Sequence, residues 1–414
     1  MLTMKDTKEQ KVKHARIWAA RLVLILFGLA ILPGPARPVK GQAGGEIVEA
    51  RAEHRFGEEI RFFARIQSTS PVQNASVTFR PENGMAQTQA MSVNADGTAE
   101  YRYDAHSNAL PPFARIVYSF DVTLADGTRF ASADYDFIYA DNRFEWIGLE
   151  GDGLRVHWYE GDAAFGAAAL DAARRGVASA RALLSLELLS PIDIYIYAKG
   201  SDLQSALELG GRAWMAGHAN PERNLAMITI APGQEYEFER QVPHELTHVL
   251  LYQALGAGYY NLPVWLREGA ALNAELYPDP DYEAALTAAV ESNSLIPLSE
   301  LCASFPPDSA RAFLAYAQSR SFTRFLFDHF GVTGVSALVS AYADGMDCEQ
   351  GARRALEQPL SQLETRWRGT ALGENRSGAA AANLLPYFLV LALALFVPVW
   401  GAIGRMIGRA KNDQ

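Results

Sequence analysis

The stretch Val242-Pro243-His244-Glu245-Leu246-Thr247-His248-Val249-Leu250, read as VPHELTHVL, sets two of the chain's eight histidines four residues apart with a glutamate between them. A pattern this short arises by accident in about one chain in a hundred of this length, so its surroundings must decide between a metal site and ordinary helix surface. Those surroundings read as a helix. Pro243 suits a first helical turn, and Val249, Leu250 and Leu251 continue an apolar pattern after the polar stretch Glu235 to Arg240. In such a helix His244 and His248 stand one turn apart on one face, so both imidazoles can reach one ion. Glu245 lies at the edge of that face, placed to contact a metal-activated water rather than the metal.

Two histidines need a third ligand, and the candidate lies in LPVWLREGAALNAE, Leu262 to Glu275. Glu268 follows His248 by 20 residues, enough for one helix to end near Gly256 and Gly258 and a second to begin at Pro263. Glu275 falls on the same face two turns after Glu268 and could orient a ligand histidine by a hydrogen bond.

HELTH followed by LPVWLREGAALNAE resembles the gluzincin metallopeptidases, and most closely the peptidase MA-like group, related to thermolysin and the zinc aminopeptidases. The resemblance runs roughly from Phe144 to Gly369. It implies His244, His248 and Glu268 as zinc ligands and Glu245 as catalytic base, with a fourth zinc position open to water. The aminopeptidase motif G-x-M-E-N is absent, the segment before the helix reading NLAMITIAPG from Asn224 to Gly233, which favours an endopeptidase. That segment is similar to the gluzincin edge strand against which an extended substrate pairs. Tyr316, in AYAQSRSFTRFL, resembles the tyrosine that donates a hydrogen bond to the tetrahedral intermediate; it could equally be a half-buried residue of an amphipathic helix. His218, in WMAGHA, could supply that donor instead.

The ends of the chain read as targeting and membrane segments. Residues 1–43 carry a Lys-rich start, eleven uncharged residues from Leu22 to Leu32, and possible cleavage points after Ala36 or Ala43, the pattern of a secretory signal. Leu384 to Ile403 is twenty residues without a charge, followed by Arg405, Arg409 and Lys411, which predicts a transmembrane helix over 384–404 and a cytoplasmic tail over 405–414. The region between them would face outward from the cell membrane. In that oxidising setting Cys302 and Cys348 could form a disulfide, although nothing in the sequence sets their distance.

Between the ends, residues 44–143 show short alternating runs such as EIRFFARI from Glu59, separated by Asn83-Gly84, Asp96-Gly97 and Asp126-Gly127. About seven strands in about 100 residues predict an all-β, immunoglobulin-like or fibronectin-like sandwich. Residues 144–370 are expected to form an α+β gluzincin-like metallopeptidase domain: a strand at Leu154 to Tyr159, an Ala-rich helix from Ala163 to Leu189, a strand at Ile192 to Tyr197, an edge strand at Leu225 to Ile230, then helices. Residues 371–383 read as a linker. The formal net charge of −10, with no basic patch and no Gly-rich phosphate loop, argues against nucleic acid. The partners implied are a peptide or protein substrate and the membrane; oligomeric state is not legible. A non-catalytic surface scaffold is the alternative, which retention of Glu245 disfavours, and the charges from Glu235 to Arg240 exclude an intramembrane protease.

Overall fold

The computed structural model describes residues 44–82, 84–208, 217–374, 384, 386–392 and 394. The expected signal over 1–43, the linker from 375 to 383, the tail over 405–414 and most of the expected membrane helix over 384–404 lie outside the described residues. Among the described residues no helix is long and apolar enough to cross a membrane. A β-rich N-terminal region precedes a helical C-terminal one, and the chain divides into two compact units, Met1–Gly256 with Ala274–Tyr277 and Ala257–Asn273 with Pro278–Gln414.

The first unit begins with two antiparallel sheets. One has the order β1 (Gly45–Arg55), β2 (Glu59–Ser68), β6 (Thr98–Asp104), β5 (Ser92–Val93). The other runs β4 (Gln87–Ala90), β3 (Val72–Pro81), β7 (Ala114–Leu124), β8 (Arg129–Ala131), with β9 (Tyr135–Tyr139) also paired to β7. Alternation explains the packing: every second residue of β7 is buried, and Phe62 of β2 meets Phe79 of β3 with ring centroids 4.9 Å apart. The count is nine strands rather than about seven, because β5 and β8 are too short to show a period of two.

A third sheet has the order β10 (Ile147–Gly151), β11 (Leu154–Trp158), β12 (Ile192–Tyr197), β14 (Leu225–Thr229), β13 (Gly217–Asn220). Its buried residues Tyr197, Leu225 and Met227 join the same core as Phe62 and Phe79, so the two antiparallel sheets and this sheet share one interior. The expected edge strand is not at the edge. β14 pairs with β12 on one side and β13 on the other, and its unbroken buried run is that of an interior strand.

Helix α1 (Ala163–Leu184) connects β11 to β12, and α2 (Gly200–Glu208) follows β12. Asp162 caps α1 by accepting the Phe165 N–H at 3.0 Å. The helix stops short of the expected Leu189 because Ser185 turns left-handed, at φ 55°, and its N–H closes on the Arg181 carbonyl. The small residues of α1 then let α3 (Phe238–Leu255) come close: a Cβ on Gly176 would stand 2.9 Å from Cα of Pro243.

The second unit is helical: α4 (Val264–Ala274, its last residue assigned to the first unit), α5 (Asp281–Glu291), α6 (Ser309–Ala343), α7 (Cys348–Leu356) and α8 (Leu360–Thr370). Fully buried Trp265 lies with its ring centroid 4.9 Å from that of Phe322, which in turn lies 5.6 Å from Trp367. Cys302 and Cys348 are joined by a disulfide, Cα atoms 6.2 Å apart. The opening turn of α4 rests on the same region, the Val264 and Trp265 N–H groups donating to the carbonyls of Cys302 and Leu301 at 2.9 and 3.1 Å.

Candidate metal centre

Pro243 does not open its helix. A 3-10 turn at Glu235–Glu237 leads into α3, which has already run five residues when it reaches Pro243. Proline favours a first turn on average, but here it lies inside the helix, packed closely against Gly176. His244, Glu245 and His248 follow on the next turn and a half. Glu245 and His248 are buried, at 8% and 6% exposure, while His244 is half-buried.

The two imidazoles converge. Their Nε2 atoms stand 3.3 Å apart, with ring planes at 74°. Two nitrogens each about 2.0 to 2.1 Å from one tetrahedral ion would be about 3.3 to 3.4 Å apart, so the pair already has the spacing of two ligands of one ion. On the far side of the His244 ring, Nδ1 lies 3.1 Å from Oε1 of Glu275. An ionised carboxylate only accepts, so in the neutral imidazole Nδ1 carries the proton and donates it, which leaves the Nε2 lone pair toward His248. The Glu275 side chain is 6% exposed, and its other oxygen, Oε2, is buried with no hydrogen-bond partner among the described residues.

Glu268 sits in the middle of α4, and the residue after it explains how α4 is seated. A Cβ on Gly269 would lie 2.1 Å from Oγ1 of Thr323 and 2.5 Å from the Ser319 carbonyl oxygen, so only glycine lets α4 lie this close to α6. Asn273 fastens the same contact, donating to the carbonyls of Gly269 at 2.7 Å and Arg320 at 3.0 Å. His244, His248 and Glu268 each offer a ligand atom, and these atoms all lie within 4.8 Å of one another. Two imidazoles and one carboxylate are a donor set that suits zinc and leaves a fourth position open.

Tyr316 is half-buried in the second turn of α6, its ring edge-on to Phe305 at 4.9 Å. His218 lies on β13 opposite Met227 of β14; its side chain lies outside the described residues. One feature of the site had no counterpart in the sequence reading: the Leu276 N–H donates to the Glu239 carbonyl at 2.8 Å, binding the residue after Glu275 to the turn of α3 before His244. Its only sequence signal is a proline four residues after Glu239 within one helix.

Residues 172–373 match the family model described as the Peptidase MA superfamily. This is the family that the two motifs resemble, and the match contains both α3 and α4, so the region is peptidase-like. None of the curated proteins matches the chain. Among solved structures, the bromine derivative of BhCBM56 is 16% identical over 23% of this chain and 98% of its own, with a TM-score of 0.19. The laminaripentaose-producing beta-1,3-glucanase of family 64 from Paenibacillus barengoltzii, complexed with laminarihexaose, is 17% identical over 22% of this chain and 20% of its own, TM-score 0.17. The purple acid phosphatase PPD1 from yellow lupin (Lupinus luteus) seeds is 12% identical over 44% and 34%, TM-score 0.18. Likenesses this slight carry no argument about fold or function.

Proposed function

We propose that the protein is a zinc endopeptidase, held to a membrane by its C-terminal segment with the peptidase region outside the cytoplasm. The observation that carries the reading is the convergence of the His244 and His248 Nε2 atoms at 3.3 Å, with Glu275 on the outer nitrogen of His244. His244, His248 and Glu268 would hold the ion. When bound, zinc supplies Lewis acidity, allowing water to lose a proton near neutral pH and polarising a carbonyl. Glu245, one residue beyond the first ligand, would take the proton of the attacking water on its carboxylate and return it to the leaving amine. Tyr316 would donate its O–H to the developing oxyanion.

Supporting the wider reading, the two antiparallel sheets suit an immunoglobulin-like or fibronectin-like sandwich, and the α3–α4 motif pair suits a gluzincin domain. With β14 interior, the edges of this sheet among the described residues are β10 and β13, and β13, which packs against α3, is the one placed to pair with an extended substrate. The anchor rests on twenty uncharged residues from Leu384 to Ile403, on the basic tail, and on exposed apolar side chains from Tyr387 to Leu391.

The test is a peptide-library cleavage assay on the full-length chain with parallel zinc analysis. Glu245→Gln should keep near-stoichiometric zinc and lower turnover by about 10²- to 10⁴-fold. Tyr316→Phe should keep zinc and lower turnover by about 10²-fold. If Glu245→Gln cleaves as fast as the parent, the hydrolytic mechanism is wrong; if only Tyr316→Phe is silent, the oxyanion donor lies elsewhere and His218 is next.

A further inference from the structure

Pro243 leaves a hole in the hydrogen bonding of α3. In a continuous helix the N–H of residue 243 would donate to the carbonyl of Glu239, and proline has none to give. The pyrrolidine ring also crowds that carbonyl and tilts it out of the ladder. The Glu239 carbonyl then accepts the Leu276 N–H at 2.8 Å. Leu276 is itself just past the end of α4, at Ala274, so the bond joins two backbone groups that their own helices leave over.

This bond fixes more than backbone. Leu276 follows Glu275 and Pro243 precedes His244, so one bond ties the segment bearing the carboxylate to the turn bearing the imidazole. Glu275 Oε1 meets Nδ1 of that imidazole at 3.1 Å. Gly176 makes the arrangement possible from the other side, since a larger residue there would push against Cα, Cβ and Cγ of Pro243. Thr247 secures the next turn by donating its hydroxyl to the Pro243 carbonyl at 2.8 Å.

We propose that Pro243 is a positioning residue for the metal site: by withholding an N–H from the Glu239 carbonyl it reserves that carbonyl for Leu276, and so seats Glu275 against His244. The proposal rests on the reading of His244 as a ligand. An alanine at 243 would supply an N–H that competes with Leu276 for the same oxygen. Glu275 would then be held less firmly, and His244 would lose part of the partner that fixes its proton on Nδ1.

The experiment is a double-mutant cycle on the full-length chain, read as zinc affinity by chelator competition for the parent, Pro243→Ala, Glu275→Ala and the double variant. Glu275→Ala should weaken zinc binding by about 10- to 100-fold, and Pro243→Ala by about 3- to 10-fold. The double variant should match Glu275→Ala within about twofold, because the proline acts only through the glutamate. Parent-like affinity in Pro243→Ala, or the same factor lost in both backgrounds, overturns the proposal. Amide exchange of the metal-free proteins gives a second reading independent of zinc: the Leu276 amide should be protected in the parent and exchange faster in Pro243→Ala. Equal exchange in both overturns the proposal, and, should the variant not fold, so does open-chain exchange of Leu276 in the parent. A parent that binds no zinc but shows the expected exchange difference would sink the metal reading and leave the role of Pro243 in docking Leu276 intact.

Discussion

Asp141 and His244 each belong to a cluster of buried or half-buried polar side chains in the first unit, and the clusters differ in how their atoms are matched. The Asp141 carboxylate, fully buried, accepts from Arg143 at 2.8 and 2.6 Å and from the Tyr197 hydroxyl at 3.0 Å. Arg143 continues to Ser205 and to the Asp202 carbonyl, and the Trp146 indole donates to the Asp141 carbonyl at 2.8 Å. Donors meet acceptors throughout. Burial, then the charge of Asp141, push the Tyr197 phenol well above its ordinary pKa, so it stays a donor. In the other cluster two like atoms, the Nε2 of His244 and of His248, face each other at the spacing of two ligands of one ion. A complementary network locks the backbone around it. Two imidazole nitrogens at that spacing have the geometry to share one ion.

Removing one member of each cluster should have opposite effects on stability and zinc binding. Asp141→Ala leaves the Arg143 guanidinium and the Tyr197 hydroxyl without their acceptor, and should cost about 3 to 5 kcal/mol of stability by denaturant unfolding. Because Tyr197 belongs to the core shared by the two antiparallel sheets and the third sheet, all three should unfold earlier, while the molecules that remain folded keep full zinc binding. A loss of zinc without a loss of stability would mean that the two clusters had been read the wrong way round. Glu275→Gln makes the smaller, opposite change. It keeps the shape and weakens only the acceptor for Nδ1 of His244, so zinc affinity should fall by about tenfold while the unfolding midpoint hardly moves. A shift in the midpoint with no change in affinity would make Glu275 a structural residue.

The sequence carried the site further than the fold around it. HELTH was legible because helical periodicity alone brings His244 and His248 onto one face, and Glu268 because its Trp265-Leu266-Arg267-Glu268-Gly269 setting is a local pattern. Gly269 has a reason that only packing reveals, the close approach of α4 to Thr323. β13 was invisible since Gly-His-Ala-Asn has no alternation, and its place comes from pairing with β14. Without β13, an apolar run such as Leu-Ala-Met-Ile-Thr looks like an edge strand when it is interior. The start of α3 was misplaced for a related reason: proline marks a first turn on average, but here tertiary contact with α1 overrides the local preference.

Zinc stoichiometry measures directly whether His244, His248 and Glu268 hold one ion. The full-length chain, loaded with zinc and freed of excess by gel filtration, should carry one zinc per chain. The His244→Ala/His248→Ala variant, folded as judged by circular dichroism, should carry close to none. Zinc retained in full by the double variant, or absent from the parent, would contradict the assignment of this site.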